Sequence, residues 1–237
     1  MLNFLKFFHT KSKLAILMYH HIGPVTDEKE RKYFISPEMF EKQICLIKEK
    51  GYHALRLEEV EEAYFQKKTL PEKSVLITLD DGWLDNYTYA FPLAKKHNIP
   101  ITIFLSTALI GKEDQLLNWE QVKEMHESGQ VSFSSHGAHH KRLRDLSDEE
   151  VLSELNESKN MLEDFFSSPV YSFCYPFGAC DKRVRGLFKQ TDYIFDFGTR
   201  KGLNNWPWNG RKPLLRAHIF NDESLKDFEN ELKRGRK

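Results

Sequence analysis

Val75-Leu-Ile-Thr-Leu-Asp-Asp-Gly-Trp-Leu84 is the stretch from which the rest of the chain can be read. An apolar, β-rich run stops at two adjacent carboxylates and a glycine. A short continuous apolar run closed by a turn signal suits a strand buried on both faces. Asp80 and Asp81 then stand at the C-terminal end of that strand, where α/β folds collect ligands and chemistry. Side chains alternate along a strand, so the two carboxylates are expected to divide the work, one binding a metal and the other taking a proton. Asp-Asp-Gly alone is also an ordinary turn. What stands at the other strand ends decides between the two.

Working outward, Leu14 to Tyr19 reads as a strand that ends in His20 and His21. Ser36-Pro37-Glu38 opens a helix, with Ser as N-cap and Pro in the first turn. His53 to Leu57 reads as a short strand and Glu58 to Phe65 as a helix. A helix is predicted from Tyr87 to His97, a buried strand from Ile99 to Leu105, and a helix over Trp119 to Glu127. Val131 to Ser135 is a strand ending at His136. Ser147 and Glu150 form a capping box ahead of a long amphipathic helix to Phe166. Strands follow at Val170–Tyr175, Tyr193–Phe197 and Leu214–Phe220, with helices at Asp181–Lys189 and Glu223–Lys233. Asn204 to Lys212, with Trp206, Pro207 and Trp208, is the least regular segment and reads as a loop, site-lining or merely surface. The β-α alternation predicts an α/β chain: a parallel sheet closed into a single distorted (β/α) barrel of about seven units.

The totals narrow the possibilities. The 237 residues can form one α/β barrel, and 35 basic against 35 acidic residues give no electrostatic case for nucleic acid. Three cysteines (Cys45, Cys174, Cys180) make no disulfide framework. The N-terminal segment, residues 1–13, has no signal-peptide pattern, and no apolar run is long enough to span a bilayer. Leu2, Phe4, Leu5, Phe7 and Phe8 beside Lys6, Lys11 and Lys13 suggest either a short interfacial helix touching a membrane peripherally or a helix packed on its own domain. A cytoplasmic protein, membrane-peripheral at most, is expected, with residues 14–237 as the catalytic domain.

The strand ends carry the chemistry. His20 and His21 close the first strand, Asp80 and Asp81 the third, and Ser135-His136-Gly-Ala-His139-His140 the fifth. Arg216 and His218 lie within the last. Parallel barrel strands share one C-terminal rim, so these groups can converge. His136 and His140, four apart, share one side of a helical turn. With one carboxylate they make a three-ligand divalent-metal site. His139 competes with His140. For a lone histidine the ordinary explanation is a satisfied core or surface residue; the pair next to a separate Asp-Asp strand end is what favours a metal.

Leu79-Asp80-Asp81-Gly82, His136 through His140, Tyr175-Pro176-Phe177-Gly178 and Leu17-Met18-Tyr19-His20-His21 resemble, in order, motifs of the NodB-like polysaccharide deacetylases, carbohydrate esterase family four. The resemblance spans about residues 14 to 220. It implies a divalent ion, usually zinc, on Asp81, His136 and His140, with cobalt, nickel or manganese compatible with the same donors. It implies Asp80 as general base and hydrolysis of an N-acetyl group on a carbohydrate substrate, in an envelope-polysaccharide or glycan-precursor setting. Tyr175, Pro176 and Phe177 would line the substrate site, with the Phe177 N–H in an oxyanion hole. His20 either touches substrate or bonds within its strand. The chain departs from the pattern at Gly137, in place of a hydroxyl residue, at Lys141, where proline is common, and in three further places. Cys174 occupies the position of an arginine that orients the base, the fourth motif has no clear counterpart, and Leu215-Arg216-Ala217-His218 is one residue longer than the family's Leu-x-His. His218 is therefore expected as the acid and Arg216 as the partner of Asp80. O-acetyl ester hydrolysis and a non-catalytic glycan-binding barrel are the alternatives.

Overall fold

The computed structural model describes residues 12–236. In chain order its strands are β1 (Ser12–Tyr19), β2 (His21–Ile22), β3 (Phe34–Ile35), β4 (His53–Ala54), β5 (Ser74–Leu79), β6 (Ile101–Leu105), β7 (Val131–Ser135), β8 (Ser172–Cys174), β9 (Phe195–Phe197), β10 (Asn204–Trp206) and β11 (Ala217–His218). The helices are α1 (Pro37–Glu49), α2 (Leu57–Phe65), α3 (Phe91–His97), α4 (Trp119–Glu127), α5 (Asp148–Phe166), α6 (Lys182–Phe188) and α7 (Leu225–Arg234).

Strands β1, β5, β6, β7, β8 and β9 run parallel in that order. The segment that follows closes the curl. Leu214 bridges to Phe197 in β9, and β11 pairs in parallel with β1. The distorted (β/α) barrel read from the β-α alternation is therefore what forms. Helix ends follow their caps: Ser36 accepts from Met39 N, and Ser147 and Glu150 bond reciprocally.

Three expectations change. Asn204–Lys212 is not simply a loop, because Asn204–Trp206 pairs antiparallel with the start of β1 and Trp206 is buried. It fills the base of the gap beside β1, far from the strands' C-terminal rim. The Leu214–Phe220 strand shrinks to β11, because its residues divide their pairing between β9 and β1. The helix predicted from Tyr87 opens as a wide π turn at Asn86–Ala90 and becomes α-helical at Phe91, where Pro92 has no N–H to donate. The expected interfacial segment lies outside the described residues except for Ser12 and Lys13, which open β1. Among the described residues, no helix is long and apolar enough to cross a membrane.

Strand alternation sorts side chains into two cores. Ala15, Leu17, Val75, Ile77 and Ile103 face the surrounding helices. Leu14, Ile16, Leu76, Phe104, Cys174 and Phe197 fill the barrel interior, and Leu57, Val60 and Ala63 of α2 join them. The same parity, carried upward, puts His20 above Leu14, Ile16 and Met18, Asp80 above Leu76 and Thr78, and His136 above Ser132 and Ser134. His218 stands above Leu214 and Arg216. The polar residues at the rim are thus the top layer of the interior columns.

Candidate metal centre and active site

Asp81 breaks the parity rule. It has left the strand at φ 77°, with Gly82 behind it at φ 81°. A β-carbon on Gly82 would lie 2.7 Å from Leu105 Cδ2, so this turn requires glycine. The reversal brings both carboxylates to the same cleft, which alternation alone would have prevented. The His136–His140 spacing also works by a different route from the one expected. No helical turn forms there; Gly137 (φ 83°) and His140 (φ 54°) fold the loop so that the two imidazoles lie 5.1 Å apart. Asp81, His140 and Phe177 (φ 57°) all hold left-handed backbone beside one cleft, where such strain commonly collects.

His136 Nε2 lies 3.3 Å and His140 Nε2 3.0 Å from Asp81 Oδ1. Neither approach has hydrogen-bond geometry, so that buried oxygen has no hydrogen-bond partner among the described residues. His136 Nδ1 donates to the Cys174 carbonyl at 2.8 Å. Its Nε2, when neutral, therefore presents a lone pair toward a carboxylate lone pair. A cation between them removes that repulsion. Tetrahedral ligands about 2.0–2.1 Å from zinc would sit roughly 3.3 Å apart, close to these separations. The donor set fits a divalent ion. Trp83 Nε1 donates to Asp81 Oδ2 at 3.0 Å and leaves Oδ1 for the centre.

His139 is not part of this cluster. Its ring bonds Glu154 Oε1 at 2.9 Å, and Glu154 Oε2 accepts the backbone N–H groups of Ala138 and His139. Glu154, buried on the apolar stripe of α5, staples the loop from below. A second close group, Asp80–His136–Cys174, is less suited to a cation. Arg216 already bonds both Asp80 oxygens at 2.7 Å and approaches Cys174 Sγ at 3.0 Å. Burial pushes the Cys174 thiol up, so it stays protonated.

Asp80 and Arg216 are both fully enclosed. Burial would raise the Asp80 carboxyl, but the Arg216 charge and hydrogen bonds outweigh it and hold it down at about 2. Arg216 also bonds Thr78 Oγ1 and the Gly198 carbonyl. An arginine from the last strand thus orients the aspartate, and Cys174 fills the space on the β8 side.

His20 and His218 stack at 5.2 Å, with Tyr33 against both rings and Phe220 behind His218. His20 Nδ1 and His218 Nε2 are buried without partners among the described residues. Burial lowers both imidazoles, His218 to about 3, with His20 adding to the effect there. His20 feels both aspartates, Arg216 and His136, whereas His218 feels His20, Asp80, Arg216 and Lys201.

These residues line a cleft of about 690 Å³ that contains Asp80, Asp81, His136, His140, His20 and His218. Phe177 stands on its rim, half exposed. Tyr175 borders the cleft, yet its hydroxyl turns away to Asp196 at 3.2 Å. Pro176 is buried and does not line the cleft; both residues shape the turn that presents Phe177. Sequence reasoning missed Trp83, Glu154, Arg142 and the His21–Asp85 pair at 2.7 Å. Only Glu154 left a signal, as a carboxylate on the apolar face of a helix.

A parallel barrel carrying an Asp-His-His centre beside a buried Asp–Arg pair is the arrangement of the NodB-type deacetylases. The polysaccharide deacetylase profile matches residues 67–195, and this chain belongs to that family. The match includes Asp80, Asp81, His136 and His140 and stops short of Arg216 and His218. A Bacillus subtilis (strain 168) protein with the name "Putative polysaccharide deacetylase YxkH" is 33% identical over 191 residues, covering 81% of this chain and 66% of its own length. A poly-beta-1,6-N-acetyl-D-glucosamine N-deacetylase of Staphylococcus aureus is 30% identical over 180 residues, covering 70% of this chain and 61% of its own length. The chain thus spans a little under two thirds of these relatives. The Streptococcus pyogenes deacetylase PplD, solved in complex with acetate, superposes with a TM-score of 0.85 at 28% identity, over 96% of this chain and all of that one.

Proposed function

We propose that residues 14–237 form a divalent-metal-dependent N-deacetylase domain acting on a glycan built from N-acetylated sugars. The observation that carries this is the convergence of Asp81, His136 and His140 on one buried, unpartnered carboxylate oxygen, directly beside Asp80. Asp81, His136 and His140 would hold a divalent ion, zinc by preference for this donor set, which would supply Lewis acidity toward the acetyl carbonyl and toward water near neutral pH. Asp80, ionised and aimed by Arg216, takes the water's proton. The turn at Tyr175–Gly178 offers the Phe177 N–H to the oxygen that gains charge, since the Tyr175 and Gly178 N–H groups already donate to the Phe197 and Tyr175 carbonyls. As the C–N bond breaks, the amine takes a proton from an imidazole and acetate leaves.

The imidazole pair supplies that last proton. His218 was the expectation from the motif order; what supports His20 instead is that it follows β1, the strand paired directly with the β5 of Asp80, and that it feels both aspartates whereas His218 feels Asp80 alone of the two. We therefore assign the donor role to His20 and a supporting role to His218. His20→Asn should lower kcat by roughly 10²–10⁴ and remove the alkaline limb of its pH profile, with His218→Asn much milder. The reverse order of effects returns the acid role to His218.

The name of the Staphylococcus aureus relative makes β-1,6-linked N-acetylglucosamine oligomers the first substrates to test. Acetate release is expected from these or from β-1,4-linked oligomers, to vanish with chelator and to return with added zinc, cobalt, nickel or manganese. Release only from O-acetylated glycans would make the chain an esterase. Ion binding without release from any acetylated glycan would make it a non-catalytic barrel.

A further inference from the structure

The rim of the cleft carries one guanidinium with no carboxylate against it. Arg142 lies two residues beyond His140, with its Cζ 4.1 Å from the centre of the Phe177 ring. That ring is itself 4.5 Å from the His140 imidazole. Arg142 and Phe177 both line the cleft. Its basic neighbours are engaged: Lys141 lies 3.7 Å from Glu154, and Arg183 bonds Asp148 at 2.6 Å. Arg142 precedes a short helical turn at Leu143–Asp145 but makes no side-chain cap there. Among the described residues its guanidinium has a stacking partner and no acidic one.

Stacking holds a guanidinium flat and leaves its edge donors free. Those donors match the two oxygens of a phosphate or carboxylate. Besides Asp80 and Asp81 at its centre, the acidic residues that line the cleft are Asp27 and Glu30, from the loop after β2. In the sheet, β5 and β6 separate β1 from β7, so outside that central pair the rim is acidic at the β2 loop and carries Arg142 beyond β7.

We propose that Arg142, held on Phe177, is an anion subsite that selects glycans bearing a phosphate or carboxylate near the scissile N-acetyl group. This rests on the deacetylase reading above. Arg142 does not touch the reacting atoms in this proposal; it sets specificity. The test uses an N-acetylglucosamine tetrasaccharide, the same compound with one 6-phosphate, and the same compound with one 6-carboxylate. Binding is measured by titration calorimetry in chelator, and acetate release with metal restored. Wild type should bind an anionic probe at least about tenfold more tightly than the neutral one, less so as salt rises. Arg142→Gln should erase the difference and leave the neutral probe unchanged, while Arg142→Lys keeps part of it. The phosphate and carboxylate arms identify which anion is read. Equal binding of all three probes by wild type, or an equal loss on all three in Arg142→Gln, overturns the proposal. Absence of acetate release from every probe would count against the deacetylase reading, and the calorimetry would still decide the subsite.

Discussion

Asp80→Asn is expected to cut acetate release by roughly 10²–10⁴ while the protein keeps its full complement of metal. The substitution removes the proton acceptor and leaves the three proposed ligands in place. It also leaves Arg216 buried against a neutral amide. Breaking one side of a buried ion pair typically costs about 3–5 kcal/mol, so the variant should also melt earlier. Asp80→Asn/Arg216→Met removes the stranded charge as well. It is expected to recover much of the thermal stability and none of the turnover, which separates catalysis from folding. Undiminished acetate release in the single variant would eliminate Asp80 as the base. Because Arg216 outweighs burial and holds the Asp80 carboxyl at about 2, the base stays ionised at every ordinary assay pH. The sign for stability follows: the pair's contribution is complete above the ordinary carboxylate range and is lost as pH falls from there toward 2.

The second large effect separates two adjacent histidines. His140→Ala should lower metal affinity at least a hundredfold and abolish turnover, because it removes a nitrogen 3.0 Å from Asp81 Oδ1. His139→Ala should retain the metal, since that ring faces Glu154 instead. Its cost should be in loop order and thermal stability. Metal content after dialysis distinguishes the two; equal metal loss in both variants would mean that the loop geometry described above is wrong.

Much of this site was legible in the chain. Apolar runs that stop at Asp80, His136 and Arg216-Ala-His218 announce buried parallel strands with chemistry at one end, and side-chain parity then sends Asp80, His136 and His218 to the same interior layer. Capping residues located α1 and α5 because those hydrogen bonds are local. Asp81 reaches the cleft for a reason that the strand pattern does not contain. Strand alternation predicts that it points away from Asp80, and only the left-handed turn at Asp81–Gly82 returns it to the cleft. The His136–His140 pair was likewise assigned through helical spacing, whereas a folded loop does the work.

What the chain alone determined, then, was the barrel, the rim and the short roster of residues on it, because burial patterns and caps are written in neighbouring positions. Tertiary structure alone decided which of them meet. It turned His139 toward Glu154 on a separate helix and left His140 beside Asp81, stacked His20 on His218, and aimed Asp80 with an arginine more than a hundred residues away. It also turned Asn204–Trp206 into a strand. Each of those outcomes depends on a through-space partner distant in sequence, and no local pattern encodes such a partner.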